Sequence, residues 1–249
     1  MNFSTISQKD KIYYLTEKQL DFSEAYVKLR EKENRILTNN EVALLPYLKR
    51  YEWPLREKST ERFIRYISSK TKKSLQVLEI GCGNGWFSNK IASFAKKNKI
   101  VGLDINIQEL KQASHVFQKE NLYFAYGNIF KIEETFKEQF DIIVLNGTTQ
   151  YFPDFKLLLT TLLTFLKSEG EIHIIDSPFY TASEIKNAKE RTINYYTNLG
   201  FPKMSENYHH HNLNEVANFD ILYQYKRTFI NTILRKKDSP YPWYRLLKE

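Results

Sequence analysis

The chain is 249 residues long, 42% hydrophobic, 15% aromatic and 27% charged, with a formal net charge of +8. This length suits one decorated domain with a full core, and no stretch approaches a membrane span or the apolar core of a signal peptide. The single cysteine, Cys82, excludes an internal disulfide and sets the expectation of a reducing, cytoplasmic location.

The positive charge is unevenly placed. Residues 1–73 carry 16 basic and 10 acidic side chains, residues 74–176 carry 10 and 12, and residues 177–249 carry 11 and 7. Basic flanks can attract an acidic substrate, a nucleic acid or an anionic membrane surface. Most of these cations alternate with glutamates, as in Arg30–Arg35, and no block of like charge exceeds three residues, which is the pattern of solvated helix faces.

Residues 8–37 read as one or two helices interrupted near Thr16 or Asp21, with Tyr13, Tyr14, Leu20, Phe22, Tyr26 and Leu29 as the apolar side. Tyr26 and Arg30 fall four apart and share a face that Glu33 can join. Asn39 and Asn40 suggest the cap of a short helix through Val42–Leu45, closed by Pro46. Trp53-Pro54 predicts an extended or turn geometry. Ser59 or Thr60 then caps a helix in which Phe63, Ile64 and Ile67 recur, ending in the linker Lys70–Lys73.

Gln76–Trp86 (QVLEIGCGNGW) is the most informative stretch. An apolar run with β-branched members stops at Gly81, Gly83 and Gly85 and a helical pattern follows, so it reads as buried strand, tight turn and helix. That junction is a ligand site in open parallel sheets, where the helix start offers unpaired N–H groups. The spacing is not that of the dinucleotide fingerprint and Trp86 follows directly, which argues against a pyrophosphate. Glu79 puts a carboxylate where a buried strand is normally apolar, a feature suited to a cationic or ammonium-bearing ligand. Cys82 sits inside the turn as a small packing residue rather than a nucleophile.

Ile100–Asp104 is a second apolar strand ending in an acid, placed to accept both hydroxyls of a ribose. Together the two strand tips indicate a nucleoside without phosphate. Helices are expected from Trp86 to Lys97 and from Ile107 to Lys119, and a third strand at Leu122–Tyr126 leads into Gly127, Asn128 and Ile129. A fourth strand, Phe140–Leu145, delivers Asn146, Gln150 and Tyr151 to the sheet's carboxyl edge. A fifth, Glu171–Asp176, ends at the same edge.

A helix over Ala182–Leu199 closes at Gly200. The tail carries His209, His210 and His211, a short helix, a strand over Phe219–Lys226 and the aromatic segment Ser239–Tyr244. Neighbouring residues of an extended chain point to opposite sides, so only His209 and His211 can converge, and no further ligand spacing supports a metal. Imidazole titrates near neutrality, so these two are candidates for proton removal, with Tyr151. His173, mid-strand, reads as a satisfied core histidine, and His115 as solvent-facing.

Val77–Trp86 and Val101–Asp104 resemble motifs I and II of class I S-adenosylmethionine-dependent methyltransferases, and the resemblance extends to Gly127–Phe130, Phe140–Asn146 and Leu166–Asp176. It implies an α/β fold: a Rossmann-like, doubly wound, mostly parallel seven-stranded sheet with a helical N-terminal lid. The lid would be residues 1–73 and the methyltransferase domain residues 74–249. The resemblance further implies S-adenosylmethionine as cofactor, with Glu79, Gly81, Gly83, Gly85, Trp86, Asp104, Ile105, Asn128, Ile129 and Asn146 around it. Glu79 and Asn146 would meet the amino-acid end, Asp104 the ribose, and Asn128 and Ile129 the adenine.

A helical lid makes Tyr13, Tyr14, Tyr26, Arg30, Trp53 and Arg56 candidates for the substrate wall, and Tyr26, Arg30, Gln150, Tyr151 and Asp176 are taken as substrate contacts. The signature of an Asn or Asp followed by two prolines and an aromatic is absent, which disfavours adenine or glutamine N-methylation of that type. The expected activity is methyl transfer to a small or medium-sized acceptor, aromatic or acidic. Two alternatives stay open: a tRNA or protein methyltransferase, suggested by a pI near 9.2, and a non-catalytic module that keeps the fold for assembly.

Overall fold

The computed structural model describes residues 6–18, 21–50, 52–70, 74–225 and 238–249, without the side chains of residues 21–25. Leu20, the side chain of Phe22, residues 71–73 of the expected linker and Lys226 therefore lie outside the described residues.

The chain folds around five parallel strands: β3 (Gln76–Ile80), β4 (Lys99–Asp104), β5 (Leu122–Tyr126), β6 (Phe140–Asn146) and β7 (Leu166–Ile175). They stand side by side in the order β5-β4-β3-β6-β7, so the order reverses at β3. Their apolar runs are continuous because both faces are covered. Val77, Ile100, Ile142 and Val144 pack into one core, and Leu78, Ile80, Val101, Ile143 and Leu145 into the other. The first core is closed by α3 (Trp53–Ser69), α4 (Trp86–Phe94) and α5 (Ile107–Val116), the second by α6 (Glu133–Phe136) and α7 (Phe155–Phe165).

Beyond β7 the sheet continues antiparallel through β9 (Trp243–Leu247) to β8 (Asp220–Tyr223). These seven strands correspond to the expected sheet, and two more lie on the opposite edge. Gln8–Lys9 (β1) and Ile12–Tyr14 (β2) form a hairpin, and β2 pairs parallel with β5, giving nine strands among the described residues.

Residues 8–14 are thus not helical. Asp10 and Lys11 both take positive φ, 53° and 61°, the two-residue turn that matches strand twist. Ile12 supplies a fully buried β-branched side chain to the core, and the open edge of β5 supplies hydrogen-bond partners no local helix could match. Tyr13 and Tyr14 rest on Tyr123 and Tyr126 and take no part in the cleft described below.

The helical part of the N-terminal region begins with α1 (Asp21–Lys32), followed by α2 (Asn39–Ala43). Thr38, not Asn39, caps α2, through a capping box with Glu41. Helix α3 starts six residues before the expected cap. Pro54 occupies its first turn, where a missing N–H costs nothing. Ser59 and Thr60 are interior, and Thr60 Oγ1 donates to the carbonyl of Arg56 at 2.7 Å. Helices α4 and α5 each stop three residues early. The last helix, α8 (Ala182–Asn198), is followed by Gly200 at φ 86°.

His173 is fully buried and satisfied. Trp243 Nε1 donates to its Nδ1 at 3.1 Å, which leaves the proton on Nε2 to donate to Glu171 at 3.0 Å. Glu171 also accepts from Tyr66 and Lys70, both at 2.7 Å. His115 is exposed. No described helix is long and apolar enough to cross a membrane.

Candidate active site

The carboxyl ends of β3, β4, β6 and β7 open into one cleft of about 1220 Å³, roofed by α1 and α3 and walled on its outer side by α8 and the C-terminal segment. In open parallel sheets ligands sit at this place, in the crevice at the strands' carboxyl ends where strand order reverses, here beside β3.

Gly81, Gly83 and Gly85 carry the chain from β3 into α4 with φ of 70°, 51° and 74°. Gly81 and Gly83 line the cleft, but Gly85 does not. A Cβ on Gly85 would stand 2.5 Å from the Phe124 ring and 2.8 Å from Ala113 Cβ. Its lack of a side chain therefore seats α4 against β5 and α5, and any contribution to ligand binding is indirect.

Asp104 ties this turn to the next strand: Gly83 N donates to one carboxylate oxygen and Asn106 N to the other, each at 2.7 Å. Each oxygen keeps a second lone pair for a ligand hydroxyl. Burial pushes the Asp104 carboxyl up, against the pull of these N–H groups. Glu79 lies on the neighbouring strand, fully enclosed, and accepts from Ser88 Oγ. Burial pushes it up to about 8, with the negative charge of Asp104 adding to the effect.

A third acid, Glu109 on α5, closes the group beneath Gly83. Burial and then Asp104 push it up to about 7, while Arg30 pulls it down. The sequence pattern did not single it out, because Gln108-Glu109 looks like the polar face of an amphipathic helix. Burial likewise raises the Cys82 thiol well above its ordinary value, in keeping with a packing role.

At the tip of β6, Asn146 is 7% exposed and its Oδ1 has no hydrogen-bond partner among the described residues. The same holds for Asn84 Oδ1, Gln150 Oε1 and Asp176 Oδ2, all in residues that line the cleft. Gln150 spends its Nε2 on the carbonyl of Gly147 at 2.7 Å. Asp176 Oδ1 accepts from Ser59 and Ser239 at 2.8 and 2.7 Å. Buried acceptors left open cost free energy unless a ligand supplies donors.

At the ends of β4 and β5 the cleft is lined by Ile105, which is 37% exposed, and buried Ile129. Asn128 also lines it, although its Oδ1 is engaged in capping the turn Ile129–Lys131. Trp86, the first residue of α4, lines the cleft and meets Trp53 of α3 edge-on at 5.3 Å between centroids.

The outer wall is rich in tyrosine. Tyr26 meets Tyr151 edge-on, Tyr151 meets Tyr208, and Arg30 donates to Tyr151 Oη at 3.0 Å while pairing with Glu33 at 2.6 Å. Tyr195 of α8 donates to Glu33, fastening α8 to α1. Burial raises Tyr26, Tyr196 and Tyr208, so their phenols stay protonated at neutral pH. Tyr195, Tyr196, Tyr208, Tyr241 and Arg191 also line the wall, and sequence reading had not named them.

Of the three candidates for proton removal, Tyr151 lines the cleft and the two histidines do not. His211 is 5% exposed, wedged between Phe155 and Phe179, with Nε2 3.0 Å from the Thr149 carbonyl. His209 makes its local link through its backbone N–H, to the Gln150 carbonyl at 2.7 Å. Among the described residues no group of His, Cys, Asp or Glu side chains is arranged to hold a metal.

A parallel sheet reversing at a glycine turn, with an acid at each of two adjacent strand tips and open acceptors beyond, defines a Rossmann-like methyltransferase of class I. The chain belongs to the methyltransferase-domain family, whose model matches residues 71–234; the methyl donor of that class is S-adenosylmethionine. A malonyl-[acyl-carrier protein] O-methyltransferase of Acetivibrio thermocellus is 24% identical over 131 residues, 53% of this chain and 46% of that one. One from Ilyobacter polytropus is 35% identical over 103 residues, 41% of this chain and 39% of that one. The matched part thus spans less than half the length of these curated relatives. The CurJ carbon methyltransferase is similar in structure, with a TM-score of 0.61 at 13% identity, covering 90% of this chain and 67% of that one. At such identity the likeness shows the fold alone.

Proposed function

We propose that the protein transfers a methyl group from S-adenosylmethionine to a small or medium-sized acceptor that is aromatic or acidic. The observation that carries this reading is that Glu79, Asp104 and Asn146, whose buried Oδ1 has no partner among the described residues, line one cleft. Three acids, Glu79 buried and Asp104 and Glu109 half-buried, and a row of unpartnered acceptors suit a cationic ligand with an ammonium, two ribose hydroxyls and an adenine amino group.

When bound, the cofactor supplies a methyl group already activated on a sulfonium, so the protein's task is chiefly positioning. In this reading Glu79 and Asn146 face the amino-acid end, Asp104 accepts from the ribose, and Ile105 and Ile129 sandwich the adenine. Gln150 and Tyr151 hold the acceptor beside the strand tips. Residues 1–73 supply the lid, with α1 and α3 keeping water out, while the tyrosine wall and Arg30 receive the acceptor's body. An acidic acceptor is supported by Arg30 and Arg191 on the outer wall and by the relatives named for O-methylation of a malonyl group.

Calorimetry with S-adenosylmethionine and S-adenosylhomocysteine tests the cofactor, and transfer of labelled methyl in a cell extract tests the acceptor. Tight binding and label in a small molecule are expected. Label in RNA or protein would replace the acceptor class, and binding of neither ligand would reduce the protein to a non-catalytic module.

A further inference from the structure

Asp176 directly follows β7 and lines the cleft. Its φ of 49° lies in the left-handed region, which a non-glycine residue keeps only where its surroundings hold it, and which gathers at functional sites. Three elements meet on its carboxylate. Ser59 of α3 and Ser239 of the C-terminal segment both donate to Oδ1, at 2.8 and 2.7 Å, which uses both lone pairs of that oxygen. Oδ2 is buried and has no partner among the described residues. The charged and titratable groups around it are Tyr241 of the same C-terminal segment and Arg56 of α3, the latter paired with Glu52 at 3.8 Å.

A second bare acceptor adjoins it. Gln150, 9% exposed, has spent its Nε2 on the Gly147 carbonyl and keeps Oε1 without a partner, while Gly147 N donates to the carbonyl of Ile175, the residue before Asp176, at 2.9 Å. Rings close the space. Tyr151, Tyr180, Tyr208 and Tyr241 line the cleft from separate segments. Burial raises Tyr208, and Tyr180, Tyr151 and Tyr241 add to the rise, so the four phenols lie within one another's field. Burial and then Asp176 raise Tyr241.

A corner of bare acceptors among rings fits a planar molecule that brings its own donors. A reacting carboxylate fits badly, because its lone pairs would oppose those of Asp176. An ammonium fits the charge but has no lone pair with which to take a methyl group. Resting on the methyl-transfer reading above, we propose that the acceptor is a phenol and that Asp176 is the catalytic residue that takes its proton, with Gln150 Oε1 accepting from a second donor on the ring. The hydroxyl oxygen bonds the methyl carbon as its proton passes to Oδ2. The carbon–sulfur bond breaks with its electron pair left on sulfur, so sulfonium and carboxylate end as thioether and carboxylic acid, and the acid returns its proton to solvent when the product leaves. Tyr151 is not the base, since its hydroxyl already accepts from Arg30. An acidic substituent on the ring belongs at the outer wall, by Arg191.

The test uses catechol and benzoate as probes, titrated by calorimetry into the S-adenosylhomocysteine complex of the wild type and of Asp176→Asn. Asparagine keeps an acceptor for the two serines and tolerates positive φ, so the urea midpoint should hold and affinity for S-adenosylhomocysteine should stay within about twofold. The wild type should bind catechol roughly tenfold or more tightly than benzoate, and the variant should lose that preference. Labelled methyl transfer to catechol should fall roughly 100-fold or more in the variant, and should recover as pH nears about 10, where a phenol ionises without a base. In a cell extract the label placed by the wild type should resist alkali. Release of the label as methanol would mark an ester and overturn the proposal. So would a wild type that binds benzoate as well as catechol, or binds neither, and so would an Asp176→Asn protein that transfers methyl as fast as the wild type. Each of these leaves the cofactor reading standing, whereas a wild type that fails to bind S-adenosylhomocysteine in the first titration overturns that reading itself.

Discussion

Helix α3 touches two buried polar clusters, one at each end, and they behave in opposite ways. At its C-terminal end Tyr66 and Lys70 reach Glu171, whose oxygens also serve His173. Burial would raise the Glu171 carboxyl, but the hydrogen bonds from His173, Lys70 and Tyr66 outweigh it and hold the group at about 2. At the N-terminal end, where Arg56 and Ser59 meet the cleft, Glu79 and Glu109 are held up at about 8 and 7. Several neighbouring acceptors there stay unanswered. A buried acid whose lone pairs are all answered is part of the scaffold, whereas one left high among open acceptors is waiting for a ligand's donors.

The largest expected effect lies in the cleft. Asp104→Ala removes the acceptor of two backbone N–H groups and the proposed ribose contact together, so affinity for S-adenosylhomocysteine should fall by about 100-fold or more, on the order of 3 kcal/mol. Calorimetry measures this directly. A loss under tenfold would mean that the strand tip organises the glycine turn without touching the ligand.

The matching change in the other cluster is Glu171→Leu. It leaves His173, Tyr66 and Lys70 facing carbon and should cost about 3 kcal/mol of folding stability, read from the urea midpoint. Affinity of the folded protein for S-adenosylhomocysteine should hardly move. A large loss of affinity would break the division between the two clusters.

The two acids also predict opposite dependences on pH. Folded Glu79 keeps its proton up to about 8 while its unfolded counterpart ionises near 4.5. The folded state therefore binds more protons across that window, and stability falls as pH rises through it. Glu79→Gln should flatten this fall and gain on the wild type towards pH 8. Glu171 has the reverse sign: its contribution is complete above 4.5 and is lost as pH drops towards 2. Urea midpoints measured across pH decide the matter, and parallel curves for wild type and Glu79→Gln would show that the carboxyl carries no extra proton.

How much of this could be read from the chain depended on how local the signal was. Glu79, the glycine turn and Asp104 announce themselves because strand, turn and helix are written in consecutive residues. Asn146 and Gln150 follow from where an apolar strand ends. The hairpin at residues 8–14 was missed because its stability comes from the edge of β5, more than a hundred residues away. Glu109 went unnamed because helical periodicity cannot show that a helix start tucks beneath Gly83. Tyr195, Tyr208 and Tyr241 reach the cleft only through the path of α8 and the tail, which no spacing encodes. The histidine run misled for the same reason: its chemistry is conspicuous, but its direction is set by packing.

The smallest effects are expected from those histidines. His211 sits among rings, and its one polar link is to the Thr149 carbonyl. His211→Phe should therefore cost about 1 kcal/mol, the worth of a lost buried hydrogen bond. His209→Ala, with its main-chain link to Gln150 intact, should stay within about 0.5 kcal/mol. Neither should alter the affinity for S-adenosylhomocysteine or its dependence on pH, because neither ring enters the cleft. If His209→Ala did shift that dependence while the urea midpoint stayed put, the tail would have to fold inward when ligand binds. His209 would then return as a candidate for proton removal.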